Sequence, residues 1–324
     1  MTGAVGRTLG PYRVVSPLGR GGMGETYVGE RIAPAGLVQR VCLKRMRADA
    51  RDPSWVRMFQ AEARLVAMLA HPNVVSLVDF GVEGEGEWWM ALGLVEGADL
   101  ATVLGDLGRA SERLPIELVV MVATEIAKGL AHAHSRRFAD GTHAGIVHRD
   151  LSPGNVMVSV DGAVQITDFG IAKVAHAERT RTGVLKGKAE YMSPEQASAE
   201  PLDARSDLFV LGVVMFQMLT GARPFTGATD IATQLNVMGG KRARIHDLAA
   251  DAPDVLVGIV DRLLQPARDH RYIDARALLD DLGRFHVRPS STFALGELAQ
   301  RARGERVPAQ EQSRTIDLPA TRPR

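Results

Sequence analysis

The chain has 324 residues, 45% of them hydrophobic and 24% charged, with a formal net charge of +1. That length is more than one hydrophobic core usually organises, and the composition is that of a soluble globular protein, so two lobes plus a tail are expected. The near-zero charge gives no general attraction to nucleic acid or a membrane surface, the single cysteine, Cys42, excludes an intrachain disulfide, and no stretch approaches the ~20 apolar residues of a membrane span.

Residues 1–11 read as a leader without an apolar secretion signal, so a cytoplasmic location with no membrane anchor is expected. Tyr12-Arg13-Val14-Val15 begins a strand that runs through Leu18 into Gly19, Gly21 and Gly24, spaced as Gly-x-Gly-x-x-Gly. This pattern also opens dinucleotide-binding folds, where a helix follows. Here Thr26-Tyr27-Val28 follows and prefers a strand. The predicted unit is therefore strand-turn-strand, either a flexible glycine-rich hairpin or a flap whose glycines let backbone close onto a ligand. After a loop marked by Pro34 and Gly36, Val41-Cys42-Leu43-Lys44 alternates as a strand. Asp52-Pro53 marks a helix start, and Val56, Phe59, Ala63, Val66 and Leu69 recur at helical spacing. Glu62 lies at the edge of that apolar stripe, where a carboxylate either snorkels or forms half of an ion pair. Strands over 77–80 and 88–92 flank a glycine-rich acidic turn.

A long helix is predicted over 116–134, followed by a polar insert, 135–145. His132, His134 and His143 read as helix and loop residues, because no cysteine or carboxylate cluster accompanies them. Two short apolar pieces, 156–158 and 164–166, flank Asp161-Gly162 and predict a hairpin with Asn155 and Asp168 at its open ends and Asp150 on the loop before it. Two carboxylates and an amide at one mouth suit a divalent cation with bound phosphates, plus a base for a hydroxyl. Residues 173–186 form a polar loop in which Thr180 and Thr182 lie among Arg179, Arg181 and Lys186. Asp207 begins an almost wholly apolar helix ending near Gly221, as an N-terminal cap, a tie to another backbone segment, or both. Helices over 231–237, 255–264 and 275–285 close the lobe, and 287–324 reads as a largely disordered tail with one short helix over 294–302.

The order of the Gly-rich segment, Lys44, Glu62, His148-Arg149-Asp150, Asn155, Asp168-Phe169-Gly170, Tyr191-Met192-Ser193-Pro194-Glu195 and Asp207 resembles the bacterial eukaryotic-like Ser/Thr protein kinases. The insert and Ser152-Pro153-Gly154-Asn155 are similar to the myxobacterial type. The resemblance implies an α+β, bilobal protein kinase-like fold over 12–286, with a small, mainly β N-lobe (12–95) and a larger, mainly α C-lobe (96–286). It implies ATP with Mg²⁺ or Mn²⁺, protein substrates with serine or threonine acceptors, and self-association for trans-autophosphorylation. Lys44 would grip the inner phosphates, Glu62 would hold Lys44, Asp150 would take the acceptor proton, and Asn155 and Asp168 would hold the cation. Leu18, Gly19, Gly21, Gly24 and Thr26 would cover the nucleotide. Cys42 would roof the adenine, Met157 would floor it, Leu92 would lie behind it, and Gly93 and Val95 would read its edge. Gly93 departs from the family's common glutamate, but contact there is through the backbone carbonyl. His148 would brace the loop, Phe169 would pack toward the helix of Glu62, and Asp99 would meet a ribose hydroxyl or a peptide.

Thr180 and Thr182 would be phosphorylation sites, with Arg149 as a cationic partner. Glu195 should pair with a buried arginine, Arg271 or Arg268. One departure stands out: Ser152 replaces the lysine usual two residues after the catalytic aspartate, while Lys188 replaces a threonine that faces it. The expectation is that Lys188 supplies the missing ammonium. The rival reading is a pseudokinase, an ATP-binding scaffold or interaction module, favoured only by Ser152.

Overall fold

The computed structural model describes residues 4–20, 24–46, 53–84, 86–170 and 189–304. Its first lobe is built on a six-stranded antiparallel sheet. The spatial order is β1 (Thr8–Leu9), β2 (Tyr12–Arg20), β3 (Gly24–Ile32), β4 (Val38–Met46), β6 (Glu87–Gly93), β5 (Leu77–Glu83). Alternation along β4 sorts its side chains. Val41 and Leu43 are fully buried with Tyr12, Tyr27, Trp89 and Ala91 on one face. Cys42 and Met46 belong to the other face, packed with Phe59, Ala63 and Val66 of α1 (Pro53–Ala67). The segment expected as a leader is part of this lobe: Leu9 pairs with Tyr12, and Ala4 and Leu9 are buried in the same cluster.

The second lobe is helical around a three-stranded sheet, β7 (Gly97–Asp99), β8 (Val156–Ser159), β9 (Val164–Ile166). Its helices are α2 (Leu100–Arg109), α3 (Ile116–His134), α4 (Pro194–Ala197), α5 (Ala204–Thr220), α6 (Asp230–Gly239), α7 (Ile245–Leu248), α8 (Asp254–Leu263), α9 (Ala275–Leu282) and α10 (Ser291–Gly304). Helix α5 is apolar all round and runs through the core, buried continuously from Ser206 to Phe216. It starts at Ala204, ahead of the expected Asp207, because Asp203 caps it by accepting from the Arg205 amide, which leaves Asp207 to act elsewhere. The lobes are joined behind the hairpin: Val74 bridges Ile166, and Asn73 donates to Glu125 (2.7 Å) and to the Val164 carbonyl (2.9 Å).

The short helix expected over 294–302 is present and runs longer, as α10 (Ser291–Gly304). Leu295, Ala299 and Ala302 of α10 are buried in the second-lobe core. Arg288 forks onto Glu117, and Arg301 bridges Asp106 and Glu112. The contact with the β8–β9 turn is backbone-close. A Cβ on Gly162 would lie 1.9 Å from the Thr292 carbonyl oxygen, and one on Gly296 would lie 2.3 Å from that of Val160. The expectation falls short only at the ends of the helix, whose buried face is mostly small residues. Among the described residues no helix is long and apolar enough to cross a membrane.

Candidate active site

Pairing of Lys44 with Thr26 and Met90 fixes its strand register, and alternation aims it at α1. There its ammonium meets Glu62 at 2.6 Å and Asp168 at 2.8 Å. Glu62 is buried with the apolar stripe, so it is half of an ion pair and not a snorkelling edge residue. Burial disfavours the charge on Lys44, but the Asp168 and Glu62 carboxylates outweigh it and hold the pKa above the ordinary lysine value.

The loop carrying Asp150 is held from below by Asp207, 1% exposed. One Asp207 oxygen accepts the His148 amide (2.7 Å) and His134 Nε2 (2.8 Å), and the other accepts the Arg149 amide (3.0 Å). Burial works against ionisation of Asp207, but these donors, His134 first, hold its pKa below the usual value. His148 is fully buried and its pKa is lowered by that burial. Its Nε2 donates to the Thr167 carbonyl at 3.1 Å, its Nδ1 accepts the Asp150 amide at 3.3 Å, and its ring lies tilted against Phe169, centroids 4.5 Å apart. Arg149 has φ 66°, a left-handed conformation costly for a residue with a Cβ, and the Asp207 bonds hold it there. The part played by His134 is invisible in the sequence, since its carboxylate partner lies on a distant helix.

The hairpin brings the other members together. Asn155 Nδ2 donates to the Asp150 carbonyl (2.7 Å), and the Thr167 amide donates to the Asn155 carbonyl (3.0 Å). The Gly170 amide donates to the His148 carbonyl (2.8 Å), and a Cβ on Gly170 would lie 2.8 Å from that of Asp150. The chain beyond Asp168 therefore runs against the Asp150 loop, and only glycine fits the approach. The Asn155 bond uses its amide nitrogen and leaves the side-chain oxygen as its remaining polar atom. That oxygen and the Asp168 carboxylate are hard donors of the kind Mg²⁺ takes. Among the described residues no cluster of three or more His, Cys, Asp or Glu could hold a metal. An ion held by Asn155 and Asp168 would complete its shell with phosphate oxygens and water.

In the glycine-rich segment, Gly19 pairs with Thr26, whose hydroxyl donates to the Gly19 carbonyl at 3.2 Å. These are the two expected strands, antiparallel neighbours. A Cβ on Gly24 would strike the Arg45 carbonyl oxygen at 2.5 Å. Leu18 is exposed, and Gly21 lies outside the described residues. Cys42 pairs with Leu92 across the sheet, and burial pushes its thiol up to about 12, which keeps it protonated and unreactive. Gly93 donates to the Ser76 carbonyl at 2.9 Å and pairs with Val41, so the glycine there does not loosen the strand end. Val95 packs on the cluster that contains Leu92, and Met157 is half-buried between buried Val156 and Val158. Asp99 caps α2: its two oxygens accept the Thr102 amide (2.8 Å) and hydroxyl (2.9 Å).

Beyond the loop, Ser193-Pro194-Glu195-Gln196 opens α4 with a capping box. Glu195 and Arg271 form a bidentate pair at 2.6 and 2.9 Å, both side chains buried. Arg268 binds Glu200 and Asp203 instead. Tyr191 donates to Gln217 at 2.6 Å beneath Arg223. Thr180, Thr182 and Lys188 lie outside the described residues, while Ser152 is half-buried just before the tight turn Pro153–Asn155.

A family model for the protein kinase domain matches residues 12–279. The chain is 36% identical over 301 residues to "Tyrosine-protein kinase MasK" of Myxococcus xanthus, covering 91% of this chain and 46% of MasK. It is 33% identical to "Probable serine/threonine-protein kinase PknB" of Lactococcus lactis, covering 84% of this chain and 41% of PknB. It is 34% identical to "Serine/threonine-protein kinase PknA" of Mycobacterium tuberculosis, covering 100% and 74%. The chain thus spans less than half the length of the first two. The crystal structure of the Mycobacterium tuberculosis PknI kinase domain superimposes with a TM-score of 0.65 at 27% identity, covering 88% of this chain and 99% of that one. With the Lys44–Glu62–Asp168 bridge, the tied Asp150 loop and the two-lobed fold in agreement with that match, the chain belongs to the protein kinase family, among its bacterial eukaryotic-like members.

Proposed function

We propose that this chain transfers the γ-phosphoryl of ATP to serine and threonine hydroxyls of protein substrates. The observation that carries the reading is Lys44 placed between Glu62 and Asp168, since a scaffold that only filled the fold would not need all three charges in register. A bound divalent cation, Mg²⁺ or Mn²⁺, would neutralise phosphate charge between Asn155 and Asp168. Lys44, kept protonated by its two carboxylates, is the group for the inner phosphates. Asp150, on a loop fixed by Asp207, His148 and Asn155, orients the acceptor hydroxyl and receives its proton. Rigid placement and charge do the work, because a loose phosphoryl transition state asks for little else.

Serine/threonine specificity is supported by the names of PknB and PknA and by the Tyr191–Glu195 platform. A tyrosine acceptor is the second reading, favoured by the name of MasK. Self-association for phosphorylation of Thr180 or Thr182, and Lys188 as the ammonium missing at Ser152, belong to the same proposal.

The test is transfer from labelled ATP to a basic model protein, beside Asp168→Ala, followed by acid hydrolysis to identify the labelled amino acid. Phosphoserine or phosphothreonine in the wild type alone is the expected result. Phosphotyrosine would move the acceptor assignment. ATP binding without label in either sample would favour the scaffold.

A further inference from the structure

The side chain of Gln196 joins two segments 47 residues apart. Its Oε1 accepts the Ser193 amide at 2.9 Å, one half of the capping box of α4. Its Nε2 donates to the Arg149 carbonyl at 2.8 Å. The peptide unit whose carbonyl Gln196 holds is the one that carries the Asp150 amide, and that amide is held by the His148 ring at 3.3 Å. The Arg149 amide, on the other side of the left-handed residue, is held by Asp207. A residue with φ 66° relaxes when its neighbours allow it, so each of these bonds restrains the direction in which Asp150 leaves the turn.

The helix itself does not need the donor. A capping box requires only an acceptor at this position, and glutamate is as good as glutamine. The amide nitrogen is additional, and it is spent on the carbonyl beside Asp150.

We propose that Gln196 is a positioning residue for protein phosphorylation, tying the orientation of Asp150 to the platform on which an acceptor segment lies. This rests on the kinase reading above. It makes turnover of a peptide, and not affinity for the nucleotide, the property that depends on Gln196.

The discriminating variant is Gln196→Glu, which keeps the acceptor for Ser193 and removes the donor to Arg149. The full chain and this variant are compared for kcat and for the KM of ATP and of a model peptide, with Gln196→Met as the variant that loses both bonds. For Gln196→Glu, kcat on peptide should fall about ten- to a hundredfold with the KM of ATP unchanged, since small misplacements of reacting groups cost that much. Wild-type kcat in Gln196→Glu, beside a defective Gln196→Met, would reduce the residue to a cap and overturn the inference. A fall in ATP affinity as large as the fall in kcat would overturn it too. A wild-type chain that transfers no phosphoryl group would overturn the kinase reading and, with it, this inference.

Discussion

Arg271 uses every hydrogen that its guanidinium offers. Five N–H groups meet Glu195 twice and the carbonyls of Gln265, Pro266 and Arg205, while Phe209 lies under its face at 4.8 Å. Arg271→Ala would leave the Glu195 carboxylate buried without its cation, the Ser206 hydroxyl still donating to it, and should destabilise the chain by about 3–5 kcal/mol in urea unfolding. Arg271→Lys should recover only a minor part of that, because an ammonium cannot reproduce the fork. Full recovery by lysine would show that charge alone matters here. Residues of this kind are half legible in the sequence. Glu195 demands a buried cation, but Arg268 and Arg271 are equally arginine, and only the fold says which one passes beneath α4. Lys44, Glu62, Asp150 and Asp168 are more legible, because each needs one residue type at one spacing. His134 and Gln196 are silent, since histidine on a helix and glutamine after a glutamate have many ordinary uses. Asp99 is ambiguous for the converse reason: an aspartate before a helix is a good cap wherever else it lies.

At the scale of elements, α10 is held by charge at both ends, and one end should be sensitive to acid. Hydrogen bonds from Arg288, and then from Ser291, bring the Glu117 carboxyl down to about 2 from an ordinary 4.5. A carboxyl lowered by folding stabilises the folded form fully above its unfolded value, and that contribution is lost as pH falls through the folded one. The Leu295 methyl signals in NMR should therefore hold steady from neutral pH to about 5 and move between about 4.5 and 2. Glu117→Gln should show the moved signals already at pH 7, and added salt should weaken the native contact because the pair is solvent-exposed. Unchanged signals in Glu117→Gln would mean that apolar packing alone seats the helix. Helical periodicity makes α1, α3 and α5 legible and finds α10 but not its full length, because alanine and glycine carry little hydropathy and the gain there comes from close fit.

Across the whole molecule the apolar cores are unequal. The first lobe has two small clusters, one on each face of its sheet, whereas the second has one continuous core that also takes in Leu69 and Val74 from the segment after α1. The first lobe should therefore open at lower temperature, and unfolding should depart from a single two-state transition. Lys44 belongs to one lobe and Asp168 to the other, so a nucleotide held by both ties the less stable lobe to the more stable one. Calorimetry with Mg²⁺ and ADP at about 100 times Kd should raise the lower transition by the equivalent of ~2.7 kcal/mol and bring it toward the upper. The same addition to Lys44→Met should leave the two transitions apart. Equal movement of both transitions in the wild type would argue against separate lobes. The two-lobe division is legible from length and motif order, while the inclusion of Thr8–Leu9 in the sheet is not, because two-residue strands leave almost no pattern to read.

The opposed glycines, Gly162 and Gly296, make the hairpin turn and the distant helix mutually dependent through inheritance as well as through contact. Neither backbone leaves room for a side chain on the other, so a lineage that gained a bulky residue at the turn would have to lose the helix from its seat or shift it. The residue at this turn in a related sequence thus carries information about a segment more than a hundred positions downstream. A bulky residue there marks, without any structure, a kinase domain whose C-terminal helix cannot sit against the hairpin as it does here, whereas glycine alone does not mark the helix, since φ 81° at Gly162 already favours glycine.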